Sequence, residues 1–109
     1  MTTVSFHMEG GRIVSFESEG HSGYADSGED IVCAGVSANI MLVECAINDV
    51  LGLEASVKVD RDGTKISLRL PAKLSEQQDS TCQALLTAFM LVMVQLHSDY
   101  PDNITVLEV

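Results

Sequence analysis

The sequence predicts an α+β two-layer sandwich, in which two helices pack on a mostly antiparallel sheet. Three observations predict this fold: short segments in which apolar and polar residues alternate, two longer segments with helical spacing of apolar residues, and the ββαββαβ order of these segments. The length of 109 residues is typical of one domain, so we assign residues 1–109 to a single domain.

The chain opens with a predicted β-hairpin. Residues 3–9 and 12–19 each alternate between apolar and polar side chains. Gly10 and Gly11 lie between them and are typical of a two-residue hairpin turn. Residues 20–30 are small, polar and rich in glycine, which predicts a mobile loop.

The first helix is predicted over residues 31–51, between an Asp30 N-cap and a Gly52 stop. Apolar residues recur along it at helical spacing and are expected to face the core: Val32, Val36, Ile40, Val43, Ile47 and Val50.

The second half repeats the order of strands and helix. Residues 53–59 alternate, residues 60–63 are typical of a turn, and a returning strand ends before Pro71. Residues 104–109 form a predicted last strand.

The second helix opens with a capping box formed by Ser75 and Gln78 and is expected to end at residue 96 or 97. Its middle is apolar on almost every face, which indicates a central core helix or one shared with a second subunit.

The charge of the chain limits its partners. Six Lys and Arg residues against 16 Asp and Glu residues give a net charge of −10. So acidic a chain is poorly suited to binding nucleic acid or an anionic membrane surface, and it favours a cationic partner. The longest apolar stretch, residues 84–96, is shorter than the roughly 20 residues of a bilayer span.

Three cysteines without a signal-like opening predict reduced thiols and a cytoplasmic protein. A zinc site built from His21, Cys33 and Cys45 fails on spacing. No phosphate-binding glycine motif is present either. We therefore expect neither a metal nor a cofactor.

Cys33 is the candidate nucleophile. If Asp30 caps the helix, Cys33 lies in the first turn, where the helix dipole and free amides favour a thiolate. Amides near Cys33 and Ala34 could hold an oxyanion, and His21, 12 positions earlier, could accept the thiol proton. Ser37 follows one turn later on the same face, and Glu44 and Asn48 continue this polar stripe. Asp30 could either cap the helix or orient the imidazole.

The other thiols and imidazoles have structural interpretations. Cys45 and Cys82 are expected to be small buried hydrophobic residues, because neither lies beside a helix start. His7 is expected to be an exposed strand residue, and His97 to complement the negative end of its helix.

Two sequence blocks resemble the ribosomal-processing cysteine protease family Prp: Gly20-His21-Ser22-Gly23-Tyr24-Ala25, and Asp30-Ile31-Val32-Cys33-Ala34 followed by Ser37. Gly28 between them, the length and the element order also fit. The resemblance implies a homodimer that removes a short N-terminal extension from a basic large-subunit ribosomal protein. An aromatic pair would precede the cut and a small residue would follow it.

The resemblance also implies roles for individual residues. Cys33 would be the nucleophile and His21 the general base, with Asp30 and Ser37 in supporting roles. A loop over residues 20–29 would become ordered over substrate. The matching loop positions are Gly20, Ser22, Gly23, Tyr24 and Gly28.

Two alternatives remain open. One is a thiol redox protein that pairs Cys33 with Cys45, although 12 helical positions separate them by about 18 Å, too far for a disulfide without unfolding. The other is a non-catalytic ribosome-assembly module that binds through its loop and its acidic surface.

Overall fold

The computed structural model of the protein describes residues 1–20, 27–60 and 65–109. The elements follow the predicted ββαββαβ order: β1 (Thr2–Glu9), β2 (Arg12–Glu19), α1 (Ser27–Glu44) with a π-helical extension (Cys45–Val50), β3 (Ser56–Val59), β4 (Lys65–Arg69), α2 (Glu76–Asp99) and β5 (Ile104–Glu108).

The five strands form one sheet in the order β3-β4-β2-β1-β5. β1 pairs with β5 in parallel, whereas the pairings of β1 with β2, β2 with β4 and β3 with β4 are antiparallel. The prediction of a mostly antiparallel sheet with two helices is confirmed.

The predicted hairpin joins β1 to β2. Gly10 and Gly11 have φ values of 57° and 78°, in the left-handed region that a tight two-residue turn needs. The register shifts by one residue between His7 and Met8, which places a bulge beside the turn.

The core lies between one face of the sheet and the two helices. Its centre is an aromatic cluster in which Phe6 and Phe16 of the hairpin meet Phe89 of α2, with ring centroids 4.8–6.2 Å apart. Buried apolar residues from every described element except β3 complete the core around these rings: Val4, Ile13, Val32, Val36, Ile40, Val43, Ile47, Leu68, Leu86, Met93 and Ile104.

Helix α2 begins as predicted and ends slightly later. Ser75 and Gln78 form both hydrogen bonds of the capping box. The helix continues to Asp99, because Nδ1 of His97 lies 2.6 Å from the carbonyl oxygen of Ile104 and ties the last turn to β5.

Polar contacts fix α2 to the hairpin. The side-chain amide of Gln83 accepts from the Ile13 N–H and donates to the Ile13 carbonyl, both at 2.7 Å. Arg12 Nε donates to Asp79 Oδ2 at 3.2 Å, and the guanidinium also contacts Oδ1. The hydrogen bonds that Arg12 donates lower the pKa of the Asp79 carboxyl.

Helix α1 departs from the prediction at its start. It begins at Ser27, so Asp30 is a residue of its first turns, and the assignment of Asp30 as the N-cap was wrong. Serine at the new start, followed by Glu29 and Asp30, still fits the positive end of a helix.

The end of this helical run combines a confirmed and a wrong expectation. Gly52 has a φ of 69° and follows the last helical residues, as predicted for a stop. Val50, however, is exposed, because the π-helical extension has a wider turn and changes the angular position of the residues in it.

β3 is shorter than predicted because a side chain holds the chain before it. Asn48 Oδ1 accepts from the Ala55 N–H at 2.9 Å, and its Nδ2 donates to the Ala55 carbonyl at 3.2 Å. The predicted turn at residues 60–63 lies largely outside the described residues.

The outer faces of both helices are apolar and exposed. The exposed large side chains in the middle of these faces are Met41, Leu42, Leu91, Val92 and Val94. By length and composition alone, residues 31–50 and helix α2 could each cross a membrane, so our exclusion of a span by length was wrong. Both helices nevertheless pack one face against the sheet.

Candidate active site

The three thiols differ in accessibility. Cys33 is half-buried, Cys45 is exposed and Cys82 is buried. Burial raises the pKa of the Cys82 thiol, which keeps it protonated and unreactive. The structural interpretation of Cys82 is confirmed, whereas that of Cys45 was wrong, because Cys45 lies two positions after the buried Val43 and therefore on the opposite face of the helix.

Cys33 occupies the second turn of α1 rather than the first. The helix begins at Ser27, so the amides of Cys33 and Ala34 take part in the helical hydrogen-bonding pattern. Our expectation that these two amides are free to hold an oxyanion was therefore wrong. The dipole also acts mainly over the first turn and favours a thiolate at this position less than predicted.

The side chain that contacts the Cys33 thiol comes from β1. Thr2 Oγ1 lies 3.7 Å from Cys33 Sγ, within hydrogen-bonding distance for sulfur. Thr2 is only 4% exposed, and its backbone N–H donates to the Asn103 carbonyl at 2.9 Å. The thiol therefore faces the end of the sheet where β1 begins.

The same threonine contacts the residue that precedes His21. A Cβ built on Gly20 would lie 2.8 Å from Thr2 Oγ1 and 3.0 Å from Thr2 Cα. Gly20 therefore packs against Thr2 without space for a side chain. Thr2 links the end of β2, which leads into His21, to Cys33 on α1.

The remaining predicted site residues lie on α1 or outside the described residues. Ala34 and Ser37 are on α1 and exposed. Gly28 and Asp30 belong to the first turns of α1. Five residues of the first sequence block lie outside the described residues: His21, Ser22, Gly23, Tyr24 and Ala25.

Two other polar residues have structural surroundings. Asn48, which the sequence places on a polar stripe with Ser37, anchors the connection before β3 through Ala55. His7 is exposed on the open face of the sheet, as expected. Within residues 1–20, 27–60 and 65–109, no group of three His, Cys, Asp or Glu side chains could hold a metal ion.

Thr2 is the site residue that sequence reasoning missed, although a signal was present. Val4, Phe6 and Met8 were placed on one face of the first strand. Extending this alternation back by one step puts Thr2 on the same face, where a polar side chain needs a hydrogen-bonding partner.

A half-buried free thiol on a helix, beside the strand end that leads into a histidine, is consistent with a thiol hydrolase, which pairs a sulfur nucleophile with an imidazole base. Comparison with known proteins gives the particular family. Residues 1–105 match the family Cysteine protease Prp, and the chain belongs to it. The enzyme class is therefore cysteine protease.

Individual relatives agree with this assignment. The chain is 31% identical over 94 residues to the ribosomal processing cysteine protease Prp of Bacillus subtilis (strain 168), covering 86% of this chain and 84% of that protein. The crystal structure of SMU.848 from Streptococcus mutans superposes with a TM-score of 0.87 and 29% identity, covering 100% of this chain and 94% of the other.

A further structure shares the fold at lower identity. The essential ribosomal processing protease Prp from S. aureus, in complex with a substrate peptide, has a TM-score of 0.85 and 22% identity, with both chains fully covered. At this identity the similarity shows the α+β fold.

The contact between Gly20 and Thr2 predicts that an alanine at Gly20 lowers the free energy of unfolding, whereas an alanine at Gly35 does not. Gly20→Ala forces a methyl group against Thr2 Oγ1 and backbone, and it should lower the free energy of unfolding by about 1–3 kcal/mol. Guanidinium-chloride unfolding at fixed protein concentration measures this.

Gly35→Ala is the matched control. A Cβ on Gly35 would lie 3.5 Å from Leu96 Cδ1, an ordinary contact, and alanine suits a helix better than glycine. This variant should be at least as stable as the wild type. Equal stability of Gly20→Ala and the wild type would contradict the close contact at Thr2.

Proposed function

We propose that the protein is a cysteine endopeptidase that removes the N-terminal extension of a large-subunit ribosomal protein, with Cys33 as nucleophile and His21 as general base. Family membership supports the reaction class, and the name of the Bacillus subtilis relative supports the ribosomal substrate. One observation supports the pairing of Cys33 with His21. Thr2 contacts both Cys33 and Gly20, and Gly20 is the direct neighbour of His21.

Covalent geometry supports the pairing of His21 with Cys33. The Cα atoms of neighbouring residues are about 3.8 Å apart, so the imidazole belongs to a residue that begins one peptide unit from the Thr2 contact. An imidazole side chain attached there can reach toward a thiol that contacts the same threonine.

The first half of the reaction makes a thioester. The imidazole of His21 accepts the proton of the Cys33 thiol, and the thiolate attacks the scissile carbonyl carbon. The carbonyl oxygen becomes an oxyanion, which returns its electron pair as the C–N bond breaks. The imidazolium gives its proton to the leaving amine. The new amine is the N-terminus of the mature ribosomal protein.

The second half releases the extension. Water attacks the thioester carbonyl while His21 accepts a proton, and the C–S bond breaks to restore the Cys33 thiol. Asp30 and Ser37 support the imidazole and the substrate backbone in this proposal. In this proposal the segment that begins at Gly20 and includes Ser22, Gly23 and Tyr24 covers the bound peptide, and it ends where α1 begins at Ser27, so Gly28 belongs to the helix.

Substitution of Cys33 tests the proposed nucleophile. Cys33→Ala should reduce cleavage of an N-terminally extended ribosomal protein below detection, because no other described thiol is both accessible and beside Gly20. His21→Ala should lower kcat about 10²- to 10⁴-fold. Gel and mass-spectrometric analysis of the product measures both.

Cys45→Ala is the control, since Cys45 is exposed on the same helical run but distant from Thr2. It should cleave like the wild type. Cleavage by Cys33→Ala would overturn the assignment. Binding without cleavage by the wild type would favour an assembly module, and thiol oxidation without cleavage would favour a redox protein.

The acidic composition supports a basic substrate. The chain carries a net charge of −10, and a basic ribosomal protein offers the opposite charge. We infer that this attraction speeds capture of the substrate in the cytoplasm and disfavours binding to RNA.

Salt dependence tests this attraction. The second-order rate constant on the full-length basic substrate should fall at least about tenfold as ionic strength rises from about 0.05 to about 0.5 M. A short neutral peptide with the same cleavage sequence should be affected much less. Equal salt dependence for the two substrates would remove the proposed steering.

The exposed apolar helix faces support a homodimer. Met41 and Leu42 on α1 and Leu91 on α2 are each at least 60% exposed, although all three are large and apolar. Apolar surface of this kind is typical of subunit contacts. We infer that a second copy covers these faces.

A charge on this surface tests the dimer. Leu91→Glu should shift the native mass from two chains to one, because an unpaired carboxylate would be buried at the interface. Light scattering measures the mass. Leu107→Glu on β5 is the control, since it is exposed but lies on the sheet, and it should stay dimeric. A monomeric wild type would contradict the proposal.

A further inference from the structure

We propose that Thr2 is a positioning residue for the nucleophile: its hydroxyl donates a hydrogen bond to the Cys33 thiolate and holds the sulfur toward the end of the sheet. This inference rests on the proposed role of Cys33 as nucleophile.

The burial of Thr2 implies that its hydroxyl has a hydrogen-bonding partner. Thr2 is only 4% exposed, and a buried hydroxyl has a high free-energy cost unless it finds a hydrogen-bonding partner. In the part of the chain that the structure describes, the partner of Thr2 Oγ1 is Cys33 Sγ at 3.7 Å. In the neutral pair either atom can donate. A thiolate can only accept, so after deprotonation Thr2 is the donor.

The backbone and side chain of Thr2 are held in place by their neighbours. Its N–H donates to the Asn103 carbonyl, and its Cα is in register with Ile104, a fully buried residue of β5. Gly20 packs directly on Oγ1 and Cα. A β-branched side chain in a strand also has few rotamers. The hydroxyl is therefore held by the sheet.

The position of Cys33 gives this hydrogen bond a function. In the second turn of α1 the thiol receives little help from free helix amides. A hydrogen bond to the charged form of an acid favours that form. The Thr2 hydroxyl thus supplies part of the stabilisation that the helix start does not, and it fixes the direction from which sulfur attacks.

Two substitutions separate the hydroxyl from the shape of the side chain. Thr2→Val keeps the shape and removes the hydroxyl, whereas Thr2→Ser keeps the hydroxyl. In a Cys45→Ala background, the rate of iodoacetamide alkylation at Cys33 is measured against pH, together with kcat and KM for the extended substrate. Thr3→Val is the control, since the neighbouring residue points to the other face of the sheet.

For Thr2→Val the midpoint of alkylation should move about one pH unit higher, and kcat should fall about 10- to 100-fold with KM nearly unchanged. Thr2→Ser should restore both values to near wild type, and Thr3→Val should leave them unchanged. If Thr2→Val unfolds, Thr2→Ala serves as the second variant without a hydroxyl.

The inference would be overturned if Thr2→Val had the alkylation midpoint and kcat of the wild type. It would also be overturned if Thr2→Ser shared the changes seen in Thr2→Val. The alkylation measurement needs no protease activity. A failure of the proposed function appears instead as cleavage by Cys33→Ala or as no cleavage by the wild type, so the two failures are distinguishable.

Discussion

The structure depends on burial of a single face of the sheet beneath two helices. Because side chains alternate across a strand, this burial fixes the directions of the residues that precede the bulge in β1 and of their partners in β2. Phe6 and Phe16 meet Phe89 of α2 on the covered face, and a slip of one residue would place both hairpin rings in water. The same alternation requires Thr2 to point toward α1.

The position of the thiol follows from the same burial. Val32, Val36 and Ile40 face the sheet, so Cys33, which follows Val32, lies at the border of the buried face. A cysteine in the centre of the core would resemble Cys82, whose burial raises its pKa. A cysteine on the outer face would resemble Cys45, without contact to the sheet. At the border, Cys33 contacts Thr2 of the sheet and is still half-exposed, as a thiol that reacts with a peptide must be.

Much of the fold could be predicted from local signals. The hairpin glycines, the Ser75 capping box and the Gly52 stop act within a few residues, and the structure confirms each. The start of α1 and the exposure of Val50 could not be predicted, because the helix start and the π-helical turn depend on how the whole helix packs. Residue pattern alone assumes a uniform helix.

The site divides in the same way. The two sequence blocks predict Cys33 and His21 as the dyad, and the family match over residues 1–105 agrees with the class of protein that the blocks predict. The contact through Thr2 requires the tertiary structure, since Thr2 and Cys33 are 31 positions apart. Asn48 is the reverse case. The sequence places it on the polar stripe with Ser37, but in the structure it accepts a hydrogen bond from the Ala55 N–H and stabilises the fold.

The central claim is that Cys33 forms a covalent bond to the substrate at the border between sheet and helix. Rapid acid quenching during turnover, followed by peptide mapping with mass spectrometry, tests this claim most directly. The account predicts a thioester between Cys33 and the carboxyl end of the removed extension, formed and lost at rates consistent with turnover. A thioester on another residue, or turnover with no covalent intermediate under conditions that preserve thioesters, would contradict it.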